Sequence, residues 1–145
     1  MPRIQLAMPE RFAFETCIDI RIGDVNYAGH LGNDAVLRLA HEARLRFLQS
    51  LGYPHELSIE GLGIVVADTA ICYRAEAFHG EMLRFDLAVD DIGPRGFDLL
   101  YQASNDKTGK EVARLKTGLV FFDYESRKLA AMPPAFLERL SVTSE

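Results

Sequence analysis

The sequence predicts an α+β domain: a curved antiparallel five-stranded sheet wrapped around one long central helix. Three observations carry this. One alternating segment near the N-terminus precedes a single amphipathic helical stripe, four strand-like segments follow it, and tight turns join most of those segments, which makes them antiparallel. The helix must bury its apolar stripe, and the concave face of the sheet is the only surface large enough to receive it.

Residues 1–10 read as an arm, because Pro2 and Pro9 discourage regular structure. From Phe12 to Ile22 the chain alternates. Phe12, Phe14, Thr16, Ile18, Ile20 and Ile22 share one face, and Glu15, Asp19 and Arg21 the other, as in a half-buried strand. Gly23 to Gly32 is a loop. Asn33 suits an N-cap, and Asp34 suits the positive end of the helix that follows. Val36, Leu37, Ala40, Ala43, Phe47, Leu48 and Leu51 form the stripe, and Gly52 with Pro54 ends it. A short helix or turn is expected over residues 55–60. Strands are expected over Gly63–Ala75, Leu83–Asp91, Phe97–Ser104 and Glu111–Tyr124. Pro133 and Pro134 open a short helix running through Leu140. An open sheet of this kind leaves an edge strand and a broad face that invite self-association.

The 145 residues make one domain, able to bury roughly 70% of the unfolded chain's surface. A hydrophobic content of 48% and a charged content of 26% fit a soluble globular protein. The net charge of -5 argues against a general nucleic-acid binder, while leaving room for a local basic patch. Cys17 and Cys72 lack C-x-x-C spacing and read as buried, reduced thiols. No apolar signal region follows Arg3 and no run reaches membrane-spanning length, so a cytoplasmic protein is expected. The four histidines show no metal spacing, and phosphate-loop, dinucleotide and G-x-S-x-G motifs are missing. No metal and no cofactor are therefore expected.

The loop Asp24-Val-Asn-Tyr-Ala-Gly-His-Leu-Gly-Asn33, the helical segment His41-Glu-Ala-Arg44 and the strand Lys116–Asp123 followed by Pro133 stand in that order. Together they resemble the hotdog superfamily, closest to its 4-hydroxybenzoyl-CoA thioesterase branch and the bacterial acyl-CoA thioesterases related to it. Gly29, His30 and Asn33 are similar to the G-H-x-x-N variant of the loop motif. The likeness spans about residues 12–140. It implies a hotdog fold, an acyl-CoA substrate, and a homodimer or homotetramer whose sites lie at subunit interfaces. It also implies that the backbone amide of Asn33 binds an oxyanion. In that branch the catalytic carboxylate is the second Asp of D-x-D. Here that position is Asn26, and Asp24 keeps the first.

Thioester hydrolysis needs an oxyanion site, an activated water and an acyl pocket. Backbone N–H groups near Gly32, Asn33 and Asp34 lie at a helix N-terminus, where such groups are unpaired and partly positive. Each is worth a few kcal/mol as an oxyanion donor. Gly32 lets a ligand approach the backbone closely. Asn33 can cap with its side chain while its amide binds the oxyanion. Asp24, Asp68 and Glu42 are the candidate carboxylates. Asp24 otherwise reads as a turn residue. Asp68 interrupts an apolar run: buried, it would titrate high and suit a general base; exposed, it is a sheet-face hydrogen-bonder. Glu42 otherwise pairs with Arg38 or Arg46 along the helix. Asn26 cannot be a base but can orient water. His30 is either a general acid/base or a fixer of the loop. Tyr27, Gly29 and Phe78 are candidates for the substrate pocket; Leu37, Phe47, Tyr53 and Phe97 are considered with them but read mostly as core. Arg74 and Arg95, with Lys110 and Lys116, are candidates for the CoA phosphates. Two other readings stay open. Gly23-Asp24-Val25-Asn26 with His30 also resembles the hotdog enoyl-CoA hydratase motif, with one extra residue before the histidine. The second is a non-catalytic acyl-ligand binder, for which Asn26 in place of Asp is the best support.

Overall fold

In the computed structural model, which describes residues 3–143, the elements follow the predicted order with two additions, a 3-10 turn and a sixth strand. They are β1 (Phe14–Asp19), a 3-10 turn (Ile22–Asp24), α1 (Asn33–Ser50), β2 (Gly63–Tyr73), β3 (Met82–Asp90), β4 (Gly96–Asn105), β5 (Glu111–Asp123), β6 (Lys128–Leu129) and α2 (Pro134–Thr143). The sheet is antiparallel throughout, in the order β1-β3-β4-β5-β2, and β6 folds back on the end of β5. The sheet thus has six strands rather than five. Residues 55–60 form turns, not a helix.

β1 is shorter than the alternation suggests. Its last ladder partner is Met82, and beyond that the partner chain turns at Gly80. The chain then leaves the sheet, so Ile22 sits exposed in the 3-10 turn instead of on the buried face.

Side chains alternate along each strand. Leu83, Phe85 and Leu87 of β3, Leu99 and Tyr101 of β4, and Leu115, Leu119 and Phe121 of β5 point to the buried face, where they join α1 in one apolar core. The buried stripe of α1 is Val36, Leu39, Ala40, Ala43, Phe47 and Leu48. Leu37 is off the stripe and 38% exposed, because it stands one residue, or about 100°, from Val36. α2 closes the core: the Phe136 ring lies 5.7 Å from Tyr53, 5.4 Å from Phe97 and 5.1 Å from Phe121. Phe47, Tyr53 and Phe97 are therefore core residues.

The Tyr53 hydroxyl donates to Glu60 at 2.8 Å. Burial, reinforced by that carboxylate, pushes its phenol up to about 12. In the unfolded chain a tyrosine titrates near 10, so the folded state resists ionisation. The sign follows: this contribution is complete below pH 10 and is lost as pH rises from about 10 to 12. Denaturant titrations are expected to show the wild type losing stability relative to Tyr53→Phe across that window. A constant difference between the two proteins there would contradict the assignment.

The arm runs across the outer face of the sheet from β1 to the opposite edge. Cys72 Sγ donates to the Ile4 carbonyl at 3.0 Å, and Arg114 Nη1 donates to the Leu6 carbonyl at 2.8 Å. Both cysteines are free, but neither is buried as expected: the alternation puts Cys17 and Cys72 on the outer face. β2 pairs only with β5, so its other edge has no strand partner among the described residues.

Candidate active site

The loop between β1 and α1 is built by its own polar side chains. Asp24 caps the 3-10 turn: Oδ2 accepts the Arg21 N–H at 2.9 Å, with the Arg21 guanidinium at 3.6 Å. Its backbone carbonyl accepts the Gly32 N–H at 2.9 Å, which holds the start of α1 against it. Asp24 is only 6% exposed, yet no side-chain oxygen among the described residues is both sealed and unpaired, so Oδ1 still meets solvent. The residue forms part of the wall of a cavity of about 290 Å³ between β1 and α1, with Asp19, Arg21, Arg38, Glu42 and Arg46.

Asn26 organises the next turn. Its Oδ1 accepts the N–H groups of Ala28 at 3.0 Å and His30 at 3.3 Å, and its backbone exchanges bonds with Gly29 and His30. Gly29 closes the turn at φ 86, a conformation that favours glycine. Only Nδ2 of Asn26 is left to face water. Tyr27 stands fully exposed at the tip. The far side of the turn is pinned to the segment after β2: the Leu31 N–H donates to the Ala77 carbonyl at 2.8 Å, and His30 bridges to Phe78. The His30 ring packs edge-on against Phe78 at 5.7 Å, and Nδ1 lies 3.4 Å from Glu76 Oε1.

The structure moves the helix cap by one residue. Gly32, with extended backbone, is the N-cap, and Asn33 is the first helical residue. A side chain on Gly32 would meet the Asp34 carboxylate at 2.7 Å. Ala35 and Val36 donate to the Gly32 carbonyl at 3.1 and 3.3 Å, and Asp34 donates to Asn33 Oδ1 at 3.0 Å. The remaining first-turn amide, Asn33 N–H, has no partner among the described residues, and Asn33 is exposed. Asp34 pairs with Arg38 at 3.0 Å, which holds its carboxyl below the usual range.

Two residues at this site were not singled out from the sequence. Tyr73, at the end of β2, donates its hydroxyl to the Asn33 carbonyl at 2.9 Å. Burial, and then the Asp34 charge, push its phenol up. Glu76 faces His30. Both are brought to the loop by the end of β2, and nothing local marks them beyond their place after an apolar strand.

Other candidates fall elsewhere. Asp68 is on the outer face with its side chain 64% exposed, and Lys116 Nζ lies 2.8 Å away. The Lys116 ammonium holds the Asp68 carboxyl below its usual value, so the buried, raised-pKa base is ruled out for Asp68. Glu42 pairs with Arg46 at 2.9 Å, while Arg38 goes to Asp34 instead. Arg74 and Arg95 lie at opposite ends of the sheet, since the Arg74 N–H bonds to Val112 and the Arg95 carbonyl to Phe121. Those anchors are nine residues apart on β5, roughly 30 Å at the strand rise, so within one chain they do not share a phosphate. Arg74 is at the end that carries Tyr73 and the helix mouth. Phe78 is exposed beside His30, in reach of the loop. Among the described residues no group of three or more His, Cys, Asp and Glu gathers as a metal site. No helix among them is long and apolar enough to cross a membrane.

Residues 20–140 match the family model described as the thioesterase-like superfamily. No curated protein matches the sequence. Among solved structures, a 1,4-dihydroxy-2-naphthoyl-CoA thioesterase from Synechocystis is similar at 22% identity and TM-score 0.79, over 88% of this chain and 95% of that one. A gentisyl-coenzyme A thioesterase gives 17% and 0.76, over 86% and 99%. A protein from Staphylococcus aureus in complex with CoA gives 13% and 0.83, over 97% and 88%. At these identities the likeness establishes the fold, a hotdog sheet and helix. The family model spans most of that fold, from the residue after β1 into α2, and the chain belongs to the thioesterase-like superfamily.

Proposed function

We propose that the chain hydrolyses an acyl-CoA thioester to the free acid and CoA. The observation that carries the reading is the unpartnered Asn33 N–H at the mouth of an 18-residue helix, whose start is tied by the Gly32 N–H to the backbone carbonyl of Asp24, a residue with one solvent-facing carboxylate oxygen. The Asn33 amide and the positive helix end stabilise the oxyanion. Asp24 takes a proton from a water that attacks the thioester carbon, and Asn26 Nδ2 orients that water. Collapse of the tetrahedral intermediate breaks the C–S bond. The proton that Asp24 took passes by way of solvent to His30 Nε2, which has no protein partner among the described residues while Nδ1 faces Glu76, and from there to the departing thiolate. The CoA thioesterases and the CoA complex among similar structures support a CoA-type substrate.

In this reading the protein is a cytoplasmic homodimer or homotetramer. The open edge of β2 and the exposed Ile22, Tyr27 and Phe78 around the loop supply the surface that a second copy covers. The acyl group then lies between copies, consistent with Phe47, Tyr53 and Phe97 being core.

The test is a panel of acyl-CoA and trans-2-enoyl-CoA substrates followed for free thiol and for enoyl absorbance. Thiol release without prior loss of the enoyl group is expected. Enoyl loss without thiol would replace hydrolysis by hydration. Ligand-dependent melting shifts with no turnover on any substrate would make the chain a binder.

A further inference from the structure

Another cavity lies where the arm meets the end of β2, about 570 Å³ in volume, lined by Arg3, Ile4 and Gln5 and by Ile71 to Arg74. Its charge differs from that of its neighbours. The cavity beside Asp24 balances three arginines against three carboxylates. The one on the outer sheet face sets Lys116 against Asp68, Asp91 and Asp98. The arm cavity carries two arginines and no carboxylate, on a chain of net charge -5. Arg3 has no ion-pair partner among the described residues, and Arg74 has only a long contact of 3.8 Å to Glu111. Two weakly committed guanidiniums in one concavity present forked donors to an anion, the geometry that suits phosphate.

The position of the cavity ties it to the helix mouth. Tyr73 lines it and reaches from it to the Asn33 carbonyl at 2.9 Å. The arm is held in place by the Cys72 and Arg114 bonds to its backbone. Arg3 lies outside the stretch that matches the family model.

We propose that Arg3 of the arm and Arg74 of the β2 end form a phosphate-binding cleft for the nucleotide end of a CoA thioester whose acyl carbon sits at Asn33. The proposal rests on the thioesterase reading and deepens it: the arm makes the enzyme select CoA over carriers without those phosphates.

The experiment compares kcat/KM for one acyl group carried on CoA and on pantetheine, which lacks the nucleotide phosphates. The wild type is expected to prefer the CoA ester. Arg3→Glu and Arg74→Gln are expected to shrink that preference by roughly tenfold or more, the scale of one charge-assisted contact. Lys128→Glu, which alters charge at the far end of the sheet, is expected to keep it. An equal preference in Arg3→Glu and Lys128→Glu overturns the cleft. Should neither thioester be hydrolysed, the enzymatic reading fails by itself, and calorimetry with adenosine 3′,5′-bisphosphate decides the cleft. Binding by the wild type that is lost in Arg3→Glu upholds it; no binding, or equal binding by both, overturns it.

Discussion

Replacing Asp24 by asparagine is expected to lower kcat for acyl-CoA hydrolysis by roughly 10²–10⁴-fold, the range for losing a positioned general base. An amide cannot take the proton of the attacking water. The substitution isolates chemistry from folding because the asparagine carbonyl can still accept the Arg21 N–H, now at 2.9 Å. Alanine would also remove that cap, at about 1 kcal/mol, and blur the result. Thermal melts of the asparagine variant are expected within a few degrees of wild type, with KM little changed. His30→Ala is expected to lower kcat too, since it removes the proposed proton donor to the leaving thiolate. Wild-type turnover in Asp24→Asn, measured by thiol release, would take Asp24 out of the mechanism. It would leave the Asn33 amide, Asn26 and His30 as the parts of the proposed site still standing.

Most of the fold is local and was therefore legible. A period of two in Phe14–Ile18 and the helical spacing from Val36 to Leu48 are written in neighbouring residues. What was not legible depends on partners distant in sequence. The end of β1 is set by where β3 begins, at Met82. β6 is two residues long and carries no period at all. Leu37 and Leu39 are the same residue two positions apart, and it is the spacing of three from Val36 and four to Ala43 that turns Leu39 rather than Leu37 to the sheet.

The site divides along the same line. Asp24, Asn26, His30 and Asn33 lie within ten residues, so their loop could be found from the sequence. Tyr73 and Glu76 reach that loop only because the end of β2 is brought to it. Asp68 fails for a further reason. Its run of apolar residues has no alternation to reveal a face, and the ladder shifts register between Val66 and Asp68, which changes the phase of every side chain beyond it. The exposed outcome was one of two readings left open by that run.

Glu56→Ala is expected to cost about 3 kcal/mol of stability, lowering the melting temperature by roughly 10 °C in a domain of this size. Arg44 is turned into the core from α1 and is 5% exposed. Its Nε lies 3.4 Å from Glu56 Oε1, and its Nη1 donates to the Tyr101 hydroxyl at 3.1 Å. Tyr101 is linked in turn to Thr117 at 2.8 Å. A guanidinium does not discharge at ordinary pH, so removing Glu56 strands a buried cation. Glu56 also sits 2.6 Å from His41 Nε2, so one carboxylate ties two positions of α1 to the loop that follows it. The double variant Arg44→Met with Glu56→Gln is expected to recover most of the loss, because replacing a buried pair outright is far less costly than breaking it. A Glu56→Ala protein within 1 kcal/mol of wild type would show that solvent, not Glu56, carries the Arg44 charge. The consequence reaches the candidate active site through rigidity. α1 bears the Asn33 amide at its start and Arg44 at mid-length, so the network that fixes the helix against β4 and β5 also fixes where that amide points.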